Sequence, residues 1–368
     1  MIVSEASHPR EQWAICLTFV GDIMFGRDIG RRLTNSAEPV LSAKVRSLLA
    51  DSDLTIGNLE SPVTESAGAR LGLGASPLCA DQLGEFDVLS LANNHMYDCG
   101  DVGIADTMAL LDRRGVRHVG VSHGEAAGIN SVVVDVRGTR CGFVATTESD
   151  LLQGKDQQSR FVLTDISDPK VDHCVAQLRR ECDFVTLLHH GGNEYIPYPP
   201  PSLRERIDEL GEAGLQLAIT HHPHVLGGQE CLPSGTLAWY SLGDFVFDSG
   251  VDLRRRGGIL SVTVSDSRAV SVDFIPTWAS DDYVVDLAPP RQSRATNRSI
   301  ARVSRRLRAD HYRVPYSMLY VASLAGFQLN RLWSVGRSEG IRAMLRAGLS
   351  RAGRLRFYGR RLAGGQHK

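Results

Sequence analysis

No two of the seven cysteines stand at Cys-x-x-Cys spacing, the number is odd, and Cys16 and Cys141 fall inside apolar runs. A disulfide framework is therefore excluded, and reduced thiols in a cytosolic core are expected. A signal peptide's basic start, long apolar centre and small-residue cleavage site are missing too. Glu5, His8, Arg10 and Glu11 precede a short apolar run that ends in Gly21-Asp22, which argues against secretion. The uncharged stretch Pro315–Asn330 has 16 residues, below the roughly 20 that span a bilayer, so it suits at most a peripheral place at a membrane surface. P-loop and GxGxxG fingerprints and internal repeats are also absent, which removes the usual phosphate-cradling loops and solenoid folds.

What is present is a chain of 368 residues, 42% hydrophobic, long enough for one large domain with an appendage. Charge is unevenly spread. Residues 291–368 hold 18 Lys and Arg against two acids, whereas 1–290 hold 23 basic against 40 acidic residues. The composition places a boundary between a body, 1–290, and a basic, helical extension, 291–368.

Apolar runs rich in Val, Ile, Leu and Phe recur at 14–20, 53–57, 86–91, 116–121, 131–136, 140–146, 183–188, 215–220, 236–242, 258–264 and 269–276, and read as strands. Helical patterns opened by Pro or Asp fill Pro39–Ala50, Asp101–Arg114, Asp168–Arg180 and Pro201–Ala213. Strand–helix alternation first and hairpin-like pairs later (around Arg137-Gly138 and Ser265–Arg268) predict an α/β fold, a mixed pair of sheets flanked by helices. Glu65–Pro77 and Thr146–Arg160 read as loops, either lids or plain connectors.

The chemistry gathers at strand ends. Asp22, Asn58 and Glu60, Asn94-His95, His189-His190, and His222-Pro223-His224 each follow an apolar run. In a sheet with crossover helices such ends lie along one edge, so distant residues meet in one crevice. Imidazole and carboxylate are the ligands of a divalent ion such as Zn, Mn or Fe. His222 and His224, two apart on an extended segment, point to one side and reach one metal or two; His221 points away and is structural. Asp22, Glu60, Asn94 and His190 join them as candidate ligands. His95 with Asp98 three residues on fits a proton donor oriented by a carboxylate, or an Asx turn capping the next helix. Arg27 is placed to hold a substrate anion, or to form a surface ion pair. Asn58, Glu194 and Tyr195 are candidate substrate contacts, and Asp244 a partner for a ligating histidine.

These segments resemble the CapA family of capsule and poly-γ-glutamate biosynthesis, a branch of the calcineurin-like metallophosphoesterases. The motifs are Gly21-Asp22-Ile23-Met24-Phe25-Gly26-Arg27, Asn58-Leu59-Glu60, Asn93-Asn94-His95 with Asp98 and Gly100, His190-Gly191-Gly192-Asn193-Glu194-Tyr195, His222-Pro223-His224-Val225 and Tyr240-Ser241-Leu242-Gly243-Asp244-Phe245. The resemblance implies a four-layer α-β-β-α sandwich, one or two metal ions held by Asp22, Glu60, Asn94, His190, His222 and His224, and His95 as proton donor. It also implies four departures. Met24 stands where metallophosphoesterases carry a ligand histidine, which weakens one metal position, and Gly191, Thr220 and Asp244 stand where Trp, Gly and Asn are usual. The family's membrane anchor is expected to be missing.

Function then divides. One expectation is a metal-dependent hydrolase of a phosphoester, or of an amide or ester in an acidic polymer or metabolite. The other is a non-catalytic part of a polymer-synthesis complex that only binds the anionic chain. The extension, with Arg302, Arg305, Arg306 and Arg308 and then Arg351, Arg354, Arg356, Arg360 and Arg361 among Leu and Phe, fits an amphipathic surface helix. Its partners would be an acidic membrane, a protein complex or the chain's own acidic body; nucleic acid, a further polyanion, is not expected.

Overall fold

The first apolar run folds as a strand buried along its whole length, because it lies inside a sheet that is covered on both faces. The computed structural model describes residues 14–36, 38–65, 73–124, 128–154, 157–248 and 255–323. Its strands are β1 (Ile15–Ile23), β2 (Leu54–Leu59), β3 (Val88–Ser90), β4 (Arg117–Val119), β5 (Val121–His123), β6 (Ser131–Val136), β7 (Thr139–Thr147) and β8 (Phe161–Leu163). They continue as β9 (Phe184–His190), β10 (Leu217–His221), β11 (Gln229–Cys231), β12 (Leu237–Trp239), β13 (Asp244–Val246), β14 (Arg256–Ser265), β15 (Arg268–Ala279) and β16 (Val285–Leu287). The helices are α1 (Arg27–Asn35), α2 (Ala43–Ala50), α3 (Ala80–Leu83), α4 (Gly100–Arg114), α5 (Ser149–Leu152), α6 (Lys170–Glu181), α7 (Pro201–Glu212) and α8 (Pro290–Arg308).

Two mixed sheets result. One runs β16-β15-β14-β1-β2-β3-β4 with β13 also beside β1, and the other β11-β12-β10-β9-β7-β6. Alternate residues of β1 separate two cores. Ile15, Leu17 and Phe19 meet Phe143, Ala145, Leu188 and Ile219 between the sheets, while Val20 and Ile23 pack with Ile29, Val45, Leu83 and Ile104 of the helical layer. On the far side of the second sheet α6 buries Val171, Val175 and Leu178. This is the four-layer α-β-β-α arrangement that the motifs imply.

Local chemistry fixes the turns. Arg137 and Gly138 both have positive φ (51° and 86°), the two-residue turn whose twist suits a hairpin, and β6 and β7 pair antiparallel across it. Ser42 rather than Pro39 opens α2, its Oγ accepting from Val45 N at 3.3 Å. The Thr146–Arg160 stretch, read as loop, contains the end of β7 and the short α5. Residues 66–72 and 155–156 of the two expected loops lie outside the described residues.

Two compact units divide at Tyr312 and Arg313, not at the change of composition near 290. The reason is α8, which buries Ile300, Val303 and Leu307, each worth roughly 1.5–3 kcal/mol of burial, and whose Ser304 Oγ accepts from Gln229 N at 2.9 Å. Arginine-rich composition marked this helix as an appendage, but its apolar face belongs to the body. Of the second unit, residues 313–323 are described, and they are helical. Arg351, Arg354, Arg356, Arg360 and Arg361 lie outside the described residues. Among the described residues no helix is long and apolar enough to cross a membrane.

Candidate metal centre

Parallel pairing sets the site. β1 runs parallel to β2 and to β13, with Asp22 opposite both Asn58 and Asp244, and β9 runs parallel to β10, with His190 opposite His221. The carboxyl ends of both sheets therefore open on the same side, and His221 Nε2, 3.1 Å from Val20 O, ties one sheet to the other. That is the structural role expected of His221. Gly21 permits the close approach of β1 and β13: a Cβ there would sit 1.9 Å from Gly243 O, across which Asp22 N donates at 3.0 Å. Gly21→Ala should push β13 away, lower stability by about 2–4 kcal/mol and shift the urea midpoint accordingly; an unchanged midpoint would contradict this packing.

Asp22 and Glu60 are both fully buried. Carboxylates in such a place need positive charge close by. Imidazoles surround Glu60: His95 Nε2 and His224 Nε2 each stand 3.6 Å from its Oε1. Both rings are aimed by a carboxylate behind them, since His95 Nδ1 donates to Asp98 at 2.9 Å and His224 Nδ1 to Asp244 at 2.8 Å. The hydrogen bond between His95 and Asp98 is present as the sequence spacing suggests, and residues Met96–Cys99 form a short 3-10 turn leading into α4.

The second sheet adds His190, whose Nε2 meets Asn94 Oδ1 at 2.9 Å. Its Nδ1 accepts from Asn58 Nδ2 at 3.1 Å, and the same amide donates to Asp22 Oδ1 at 2.8 Å. Asn58 is fully buried, and through these two hydrogen bonds it holds two candidate ligands in place. Asn93 does the same one step further out by donating to Asn58 Oδ1 and Leu59 O.

His222 and His224 reach the crevice differently from the sequence reading. β10 stops at His221, and both residues carry positive φ, 96° and 55°. A tight turn around Pro223, not strand alternation, sets their rings 5.9 Å apart and puts His222 4.9 Å from His190. Left-handed backbone at non-glycine residues is strained, and it persists where surrounding structure holds it for a purpose.

Electrostatics separates the histidines. Burial, then the neighbouring His222, holds His190 well below the usual imidazole range, and burial together with His224 pushes His222 down to about 3. Both rings are held in the neutral form at neutral pH. Burial lowers His224 as well, but Glu60, Asp244 and Asp22 outweigh it and raise its pKa to about 10; a positive charge is favoured at that point.

Ligand-type atoms of Asp22, Glu60 and His190 lie within 4.8 Å of one another, as do those of Asp22, His224 and Asp244. The second group uses His224 Nδ1, which Asp244 already occupies, so Asp244 acts as the partner behind His224 and leaves Nε2 for an ion beside Glu60. The buried His222 Nδ1 has no hydrogen-bond partner, a further lone pair that suits a cation. The donor set fits a divalent metal. Met24 is buried and its sulfur accepts from Gly26 N, so it adds no ligand.

Other candidates sit at the rim. Arg27 pairs with Asp248 and lies over the Phe247 ring at 5.3 Å, itself 5.0 Å from His224; its charge is already engaged. Glu194 is exposed and Tyr195 is 47% exposed, both open to solvent beside the turn, with Tyr195 N donating to Pro223 O. Sequence reasoning missed Asp248 and Phe247, which follow the Ser241–Phe245 motif without any spacing signal. It also missed Glu148, whose carboxylate accepts from Gly192 N at 3.1 Å. A side chain at Gly191 would come within 2.3 Å of His189 Nε2 and 2.7 Å of Glu148 Oε1, which explains glycine there.

The family described as bacterial capsule synthesis protein PGA_cap matches residues 16–249. The capsule biosynthesis protein CapA of Bacillus anthracis is 28% identical over 280 residues, 73% of this chain and 68% of that protein. The PGA biosynthesis protein CapA of Bacillus subtilis (strain 168) is 28% identical over 244 residues, 63% of each chain. This chain thus spans about two thirds of the length of both. Among solved structures, calcineurin-like phosphoesterase YfkN from Bacillus subtilis aligns with a TM-score of 0.44 at 14% identity, covering 72% of this chain and 91% of that one.

Proposed function

From the premise that this chain belongs to the bacterial capsule synthesis protein PGA_cap family, we propose that it is a metal-dependent hydrolase. Its substrate would be a phosphoester, or an amide or ester, of an acidic polymer or metabolite in capsule or polyglutamate synthesis. The observation that carries this reading is the meeting of Asp22, Glu60 and His190 ligand atoms within 4.8 Å beside an imidazole, His95, that is held by Asp98 at 2.9 Å.

When bound among Asp22, Glu60, Asn94, His190, His222 and His224, a divalent cation such as Zn²⁺, Mn²⁺ or Fe²⁺ supplies Lewis acidity, withdrawing electrons from the oxygens of water and substrate. The chain's own part is to position and to move protons. Asn58 fixes Asp22 and His190 from below, and Asp244 fixes His224. His95, 23% exposed at its side chain, is the oriented imidazole that a substrate can reach. With Nδ1 donated to Asp98, its Nε2 carries the proton that a departing oxygen or nitrogen takes up, and Asp98 stabilises the charge this requires.

Protein treated with a chelator and then titrated with Mn²⁺ or Zn²⁺ tests this directly. Metal at about 100 times its Kd should raise unfolding free energy by about 2.7 kcal/mol and switch on hydrolysis of a generic phosphodiester or a γ-glutamyl amide. Neither a melting shift nor turnover with either metal would contradict the reading.

A further inference from the structure

Along α8, Arg291, Arg294, Arg298, Arg302 and Arg305 are all exposed. They recur at intervals of three, four, four and three residues, so they share one helix face. The face turned away from them is the packed one, with Thr296, Ile300, Val303 and Leu307 buried. At 1.5 Å per residue the stripe runs roughly 21 Å. None of the five is ion-paired with a carboxylate among the described residues. The docking of α8 uses its apolar side, and the basic side is left to face outward.

A second observation comes from the other unit by itself. The helix over 313–323 bares Val314, Met318 and Val321, exposed by 70%, 69% and 55%, at intervals of four and three, again one face. No Asp, Glu, Lys or Arg occurs from 314 to 330. An aliphatic stripe of this kind facing water marks a contact surface.

We propose that this chain binds an anionic lipid bilayer peripherally, the α8 arginines meeting lipid phosphates and the Val314-Met318-Val321 face entering the headgroup boundary. A cationic row is attracted to the acidic leaflet, and an apolar stripe on a short helix gains burial at its edge. Nucleic acid would use the arginines but has no use for aliphatic side chains; single strands are held by stacking on aromatic rings. The inference stands independently of the hydrolytic reading.

The test is co-sedimentation of the full chain with vesicles of phosphatidylcholine alone or mixed with phosphatidylserine, at low and high salt. Binding is expected only to the phosphatidylserine vesicles, and is weakened by salt. Gln at all five arginines should reduce it at least tenfold, each basic residue at the surface contributing about fivefold. Ser at Val314, Met318 and Val321 should reduce it while keeping its salt dependence. All eight positions are exposed, and unchanged circular dichroism certifies folding. No binding to phosphatidylserine vesicles, binding unaffected by both variants, or tighter binding to single-stranded DNA than to the vesicles would each overturn the proposal.

Discussion

Asp22→Asn should leave a folded protein that no longer retains divalent metal, its affinity for Mn²⁺ or Zn²⁺ falling by on the order of 100-fold or more. Asn58 Nδ2 donates to Asp22 Oδ1 and the backbone of His222 to Oδ2, so both carboxylate oxygens are already oriented from outside, and each still has lone-pair capacity to give. The amide that replaces it lacks the charge and turns one acceptor into a donor facing the donors already there. Loss of a partner behind a ligand alone costs 10–100-fold; loss of a ligand that touches both groups of candidate donors costs more. Elemental analysis after gel filtration measures it. Near-normal metal in the variant would place the cation elsewhere.

The second large effect separates a catalyst from a component that only binds. His95→Ala should reduce turnover by about 10²–10⁴ with metal content unchanged, because His95 faces Glu60 at 3.6 Å without belonging to either group of candidate ligands. Asp98→Asn should have a smaller effect in the same direction, since it removes the negative charge behind His95 Nδ1 but keeps an acceptor oxygen and the ring. If His95→Ala leaves turnover intact, or capsule function persists without it, the crevice serves binding and the hydrolytic role fails.

The strand ends and their contents were legible because each follows a long apolar run, and β1, β2, β9 and β10 are long enough to show one. Parallel strands buried on both faces announce themselves by composition. β8, β11, β13 and β16 are three residues each, too short for any periodicity, so the partner that places Asp244 beside Asp22 was not visible as a strand. The turn at His222 was misread for a related reason: a His-Pro-His run looks extended, and only the tertiary contacts that hold positive φ at both histidines reveal otherwise. The end of the body escaped composition because α8 carries its arginines on one face and Ile300, Val303 and Leu307 on the other.

The central claim is that Asp22, Glu60, Asn94, His190, His222 and His224 surround a common cation. Anomalous diffraction from crystals grown with Mn²⁺ or Zn²⁺ is its most direct test. A peak about 2.0–2.2 Å from Asp22 and from at least one of the histidines is the expected result; no peak among these side chains, or one bound only at the surface, would contradict it.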